Sequence, residues 1–195
     1  MSKGRKLFDN QPLSKSLRKA IVIAQESSAV DLVHWLQLEL GGYYASNSAM
    51  DEDTIVPEYR TVIGQHADIY GRVLVLPQNI SFINETRLRN GVEELETLVS
   101  SRDMVVIHDP HMCELIKQHL SIEVYSFRFS TVHLVGVLSA IRIALETKLR
   151  ELNLPTVSLI QDSGVKNDDI VQLRPNVYGI GVDLRAIWRR WKGQR

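Results

Sequence analysis

Apolar residues recur at helical spacing near both ends of the first 152 residues and alternate only briefly between them. From Ser14, read as an N-cap, Leu17, Ile21 and Ala24 form one stripe. Val30, Val33, Leu36 and Leu40 form a second, and Ser27-Ser28 separates the two helices. Gly41-Gly42 ends the second helix. Residues 43–57 are polar and acidic and predict a loop. The stretch 59–76 alternates, is rich in β-branched residues and predicts a β-hairpin or small meander, stopped by Pro77. Residues 81–100 predict a helix on Leu88, Val92, Leu95 and Val99. MVVIHDP (104–110) reads as a short strand or a helix lead-in, and ELIKQHL as a short helix.

A long apolar helix is expected within 124–152, carried by Val132, Val135, Leu138, Ile141, Ile143, Leu145 and Leu149. It ends near Asn153, before Pro155. Residues 155–176 read as loop with a short strand at 157–160. In the last stretch Leu184, Ile187, Trp188 and Trp191 fall at i, i+3, i+4 and i+7, with Arg185, Arg189, Arg190 and Lys192 elsewhere. That is a basic amphipathic helix of about three turns. The fold class is therefore α+β, mainly α: a helical domain with a small β element near 59–76 and a C-terminal amphipathic helix. Its expected organisation is a basic leader at 1–12, a domain at 13–152 and an extension at 153–195.

Composition narrows the class. At 195 residues, with 44% hydrophobic and 24% charged, the chain has the makeup of one globular domain. Cys113 is the single cysteine, so no intrachain disulfide and no cysteine-based zinc finger can form. No apolar run of about 20 residues marks a membrane span, and no signal-peptide core follows the basic start, so a cytoplasmic protein is expected. The net charge of zero hides an asymmetry. Residues 1–20 carry +5, residues 185–195 carry +5, and the stretch between carries −10. Basic ends of this kind suit phosphates, an anionic membrane or an acidic face of a second copy, or stand solvated.

Candidate chemistry is sparse. The stretch HDPHMCELIKQH brings together His108, Asp109, His111, Cys113, Glu114 and His119, but at no recognised metal-ligand spacing. These read as surface or packing residues, so neither a metal nor a cofactor is expected. Gly41-Gly42 and the GIG at 179–181 lack the lysine and serine or threonine of a phosphate loop. No acid pair, triad or metal motif is legible, so no catalytic residue is assigned. The informative residues are Trp35, Glu39 and Tyr43, then Tyr59 and Arg60. Trp35 and Glu39 are four apart and share a helix face. A carboxylate on a largely apolar helix needs a partner, because a lone buried charge is costly. Arg60 is the expected partner, in a pair that pins the β element onto the second helix. The functional alternative makes Glu39, Tyr59 and Arg60 part of a ligand pocket.

Those residues also carry a resemblance. WLQLELGGY followed by VPEYRTVIG resembles the AbiTii-type domain of bacterial abortive-infection proteins, through Glu39, Leu40, Gly42, Tyr43, Pro57, Tyr59, Arg60 and Gly64. It extends loosely through VLSAIRIALETKLREL and covers roughly 13–152. The extra Gly41 and the longer loop at 45–56 depart from the pattern. The resemblance implies phage defence by arrest or death of the infected cell, through a minimal effector or a subunit of a larger system. It supplies no catalytic residues. The expectation is a non-enzymatic component that forms a homo-oligomer or binds a protein partner. The alternative is a toxin-like effector whose tail, through Trp188, Arg189, Arg190 and Trp191, contacts an anionic membrane or nucleic acid.

Overall fold

The computed structural model describes residues 11–101 and 103–155. The leader at 1–10, the strand expected at 157–160 and the amphipathic tail with Trp188, Arg189, Arg190 and Trp191 lie outside the described residues. Five helices and five short strands follow in the order α1 (Leu13–Glu26), α2 (Val30–Gly41), β1 (Thr61–Ile63), β2 (Gln65–Ala67), β3 (Glu85–Arg87), α3 (Val92–Ser101), β4 (Met104–Ile107), α4 (Pro110–Leu120), β5 (Ser126–Ser130) and α5 (Thr131–Glu151). A single 3-10 turn at Glu58–Arg60 precedes β1, and a seven-residue 3-10 helix at Gln78–Asn84 precedes β3. The architecture is α+β and mainly α, and among the described residues no helix is long and apolar enough to cross a membrane.

The first helix starts differently from the sequence reading. Pro12, not Ser14, precedes α1, and Ser14 is buried inside its first turn. The helix-start amide of Leu13 instead donates to Glu96 Oε1 of α3 at 2.5 Å. A long-range carboxylate thus satisfies one of the amides left without an intrahelical partner at the helix start. Ser28 at φ 54° separates α1 from α2, where the serine pair predicted a break. At α4, Asp109 caps the His111 and Met112 amides at 3.0 and 3.1 Å, and Pro110 takes the first helical position. Ser130 caps α5 through the Val132 amide at 3.3 Å.

The β element is less local than its sequence suggests. β1 pairs with β3, and β2, β5 and β4 form a second antiparallel sheet in that order. A hairpin does exist at 66–74, where the Leu74 amide donates to the His66 carbonyl and Ala67 bridges Val73. Neighbouring strands β1 and β2, however, join different sheets. Residues 81–100 are not one helix: Glu85–Arg87 is strand, and α3 starts only at Val92, after Asn90-Gly91. Leu88, Val92 and Leu95 are buried all the same, because strand exit and helix turn them to one core. The long helix expected within 124–152 is Thr131–Glu151, and Ser126–Ser130 before it pairs as β5. Its buried face is Leu134, Val137, Ile141, Leu145 and Leu149, while Val132, Val135 and Ile143 are exposed.

The main core lies between the helices and the inward side of β2-β5-β4, where Val105, Ile107, Phe127 and Phe129 alternate with outward Met104 and Val106. A satellite core of Leu38, Tyr43, Ala49 and Val56 sits beneath the 43–57 loop. Asn47 ties that loop down, donating to the Gly42 carbonyl at 2.7 Å and accepting from the Ala49 amide at 3.0 Å.

His66 belongs to the inward side and packs its ring 5.2 Å from Phe127. Its Nε2 donates to the Ile83 carbonyl at 3.1 Å, and Nδ1 has no partner among the described residues. Burial therefore holds the imidazole below its ordinary value and keeps it neutral. The unfolded chain binds this proton more readily, so stability falls as pH drops below about 6.5, by up to about 1.4 kcal/mol per unit, and is flat above. Urea titrations at pH 5 to 8 check this. His66→Gln, which keeps a donor for Ile83, should show a smaller loss between pH 6.5 and 5 than the unchanged chain.

Candidate functional site

Trp35, Glu39 and Tyr43 project along one seam of α2, four residues apart. Tyr43 lies just past the helix end, where Gly42 at φ +79° turns the chain. Tyr59 and Arg60 arrive on the 3-10 turn that leads into β1. All five converge. Arg60 places Nη2 2.5 Å and Nε 3.1 Å from Glu39 Oε2. The Tyr43 and Tyr59 hydroxyls donate to Glu39 Oε1 at 2.7 and 2.6 Å. Trp35 Nε1 donates to the Tyr59 oxygen at 3.0 Å. Arg60 Nη1 reaches two backbone carbonyls, Leu88 at 3.2 Å and Asn90 at 2.7 Å.

The ion pair is sealed: both side chains are 0% exposed. A carboxylate offers about four lone-pair sites, and here four donors occupy them. Glu39 therefore has no lone pair left to act as a base or to meet a ligand. The Arg60 guanidinium also lies over the Tyr43 ring at 4.8 Å, and Lys148 of α5 lies over Trp35 at 5.4 Å. The cluster joins α2, the turn before β1, the 88–90 segment and α5. Chemically it is a clasp between layers, with its polar atoms turned on one another.

The partners of Arg60 at 88–90 escape the sequence reading. They are backbone carbonyls, and their segment is hidden in a stretch with helical apolar spacing. Asn90-Gly91 is a turn signal and marks the break. Arg87 is a second missed contributor: it donates to the Val56 carbonyl at 2.9 Å and pairs with Glu58 at 3.2 Å, tying the 43–57 loop to β3.

Two hydroxyls provide a graded test of the clasp. Burial, then the Glu39 charge, pushes both tyrosine hydroxyls well above their ordinary value. Tyr43→Phe should cost about 2 kcal/mol, within the range for hydrogen bonds to charged groups. Tyr59→Phe should cost less, because Trp35 and Tyr59 are only half-buried and water can replace the lost group. Both residues titrate later folded than unfolded, so stability is full below about pH 10 and is lost as pH rises further. Each phenylalanine variant should lose less between pH 10 and 11 in urea melts than the unchanged chain.

The histidine-rich stretch resolves into local structure. Asp109 is the α4 cap, and His108 Nδ1 donates to the Tyr125 carbonyl at 2.6 Å. The Cys113 thiol faces the same carbonyl at 3.5 Å. Burial, then the Asp109 charge, raises its pKa, the opposite of an activated nucleophile. Among the described residues no group of three or more His, Cys, Asp or Glu side chains is placed to hold a metal ion.

Neither the curated proteins nor the solved structures give a match to this chain. The family model AbiTii matches residues 5–153, which span the clasp and the helices around it. The chain therefore belongs to the AbiTii family, and that membership implies abortive-infection defence against phage.

Proposed function

We propose that this chain is a non-enzymatic component of an abortive-infection system that arrests growth by self-association or by binding a partner protein. The family supplies the biological setting. The observation that carries the non-enzymatic part is the closed ring of donors around Glu39. The most distinctive residues of the sequence are consumed in holding α2 to the β layer. They leave the outer surfaces to do the work, which favours protein contact over chemistry at a cleft.

The test is a phage challenge of bacteria expressing this chain alone, at low and high phage-to-cell ratio. The expected result is survival of the culture at low ratio and collapse at high ratio, the signature of infected cells dying before phage release. Light scattering of the purified protein should give a mass above one 22.2 kDa chain, either alone or after infection. Protection by a protein that stays a single chain and binds nothing in the infected cell would contradict the proposal.

A further inference from the structure

Among the described residues, nothing covers a largely apolar seam on the exposed side of α5. Val132, Gly136, Ser139 and Ile143 follow one another at i, i+4, i+7 and i+11, so they share a line along the helix. Val132 is 73% exposed and Ile143 64%, with exposed Val135 beside them. Gly136 gives an independent sign. A Cβ there would meet nothing within 4 Å, so packing inside the described residues gives no reason for a glycine. Glycine weakens a helix interior relative to alanine. A flat gap between two exposed apolar side chains suits a bulky ring laid across the helix.

We propose that residues 184–191 of the same chain dock along this seam, with Trp188 and Trp191 over Gly136 and Ser139. Four apolar residues, Leu184, Ile187, Trp188 and Trp191, would share one helical stripe of about 10 Å. The seam from Val132 to Ile143 is about 17 Å long, so the stripe fits on it. Arg185, Arg189, Arg190 and Lys192 would then face water. The tether has the right length. The described chain leaves α5 at Glu151 and reaches Pro155. Residues 156–183 add 28 positions, enough to span up to about 95 Å when extended. The seam lies about 18 to 35 Å back along α5 from Pro155. A linker long enough to cover that distance makes docking an intramolecular event, which favours the same chain over a second copy. This inference stands apart from the defence reading.

Iodide quenching of tryptophan emission in the full chain tests it. Trp35, Trp188 and Trp191 are the only tryptophans. In the unchanged protein most of the emission should resist iodide. Ile143→Arg should shift emission to longer wavelength and open two of the three tryptophans to quencher. Val132→Lys should act alike, and both side chains are exposed enough for the domain to tolerate the change. Glu114→Arg, an exposed change on α4, should alter nothing. Mass by light scattering should show the same dependence on concentration in Ile143→Arg as in the unchanged chain. Tail tryptophans already open to iodide in the unchanged protein overturn the proposal, as does emission unmoved by both seam variants. A mass that rises with concentration and falls in Ile143→Arg would also overturn it, because a second copy would then cover the seam.

Discussion

Arg60→Ala is expected to lower the free energy of unfolding by about 3–5 kcal/mol, the cost of leaving one charge of a buried pair alone. Few single changes in this chain should cost as much. The variant strips Glu39 Oε2 of both its donors and leaves a carboxylate at 0% exposure with only two tyrosine hydroxyls. It also orphans the Leu88 and Asn90 carbonyls that Arg60 Nη1 satisfies. A domain of ordinary stability holds about 5–15 kcal/mol, so the loss consumes a large share. Chemical denaturation reads it as a fall in midpoint with the slope unchanged. Loss of phage protection in this variant should then follow from loss of folded protein. Arg60→Ala that melts like the unchanged chain would show the guanidinium to be dispensable for the fold.

Gly91→Ala is expected to be nearly as severe, at about 3 kcal/mol, the upper end of overpacking costs. A Cβ at 91 would press onto the Leu40 carbonyl oxygen of α2, a backbone atom that has no rotamer to escape into. The same close approach is seen from the other side. At Gly42 a Cβ would stand 2.5 Å from the Arg89 carbonyl and 2.8 Å from the Gly91 amide, and the Tyr43 amide donates to Arg89 at 2.7 Å. Two glycines thus let the end of α2 lie against the 88–91 segment. That contact holds the Leu88 and Asn90 carbonyls under Arg60. Gly91→Ala must push the segment away, so its damage should be coupled to that of Arg60→Ala. Each variant alone, and both together, measured in urea, should show a double loss smaller than the sum. In a chain of this length about 3 kcal/mol corresponds to a melting temperature lower by roughly 6–12 °C.

The clasp was legible where a local pattern forced a conclusion. A glutamate on an apolar helix requires a cation, and Arg60 stands where the chain returns to order after the acidic loop. Trp35 and Tyr43 fall near the same seam by spacing, and Tyr59 comes with its neighbour Arg60. What stayed hidden depended on distant partners. Ser126–Ser130 is too short to outweigh the apolar run after it, and it becomes a strand because Met104–Ile107 and Gln65–Ala67 flank it. Leu88, Val92 and Leu95 fit a helical stripe and are all buried, yet Leu88 leaves a strand, so the same spacing served two backbones. The first four turns of α5 carry apolar residues around most of their circumference, with His133 and Arg142 among them. Periodicity there could not separate buried Leu134 and Val137 from exposed Val132 and Val135. Ser14 is not a cap because the helix already starts at Leu13, after Pro12, with the Leu13 amide held by Glu96 of α3.

Glu39 and Arg60 form one buried ion pair whose carboxylate has every lone pair occupied, the geometry of a structural unit and not of a ligand pocket. The urea midpoint of the Glu39→Leu/Arg60→Met double variant, beside its two singles, tests that most directly. Each single should lose about 3–5 kcal/mol, and the double should recover a large part of that loss, because no charge is then buried alone. Singles that unfold at the unchanged midpoint, or losses that simply add in the double, would contradict the account.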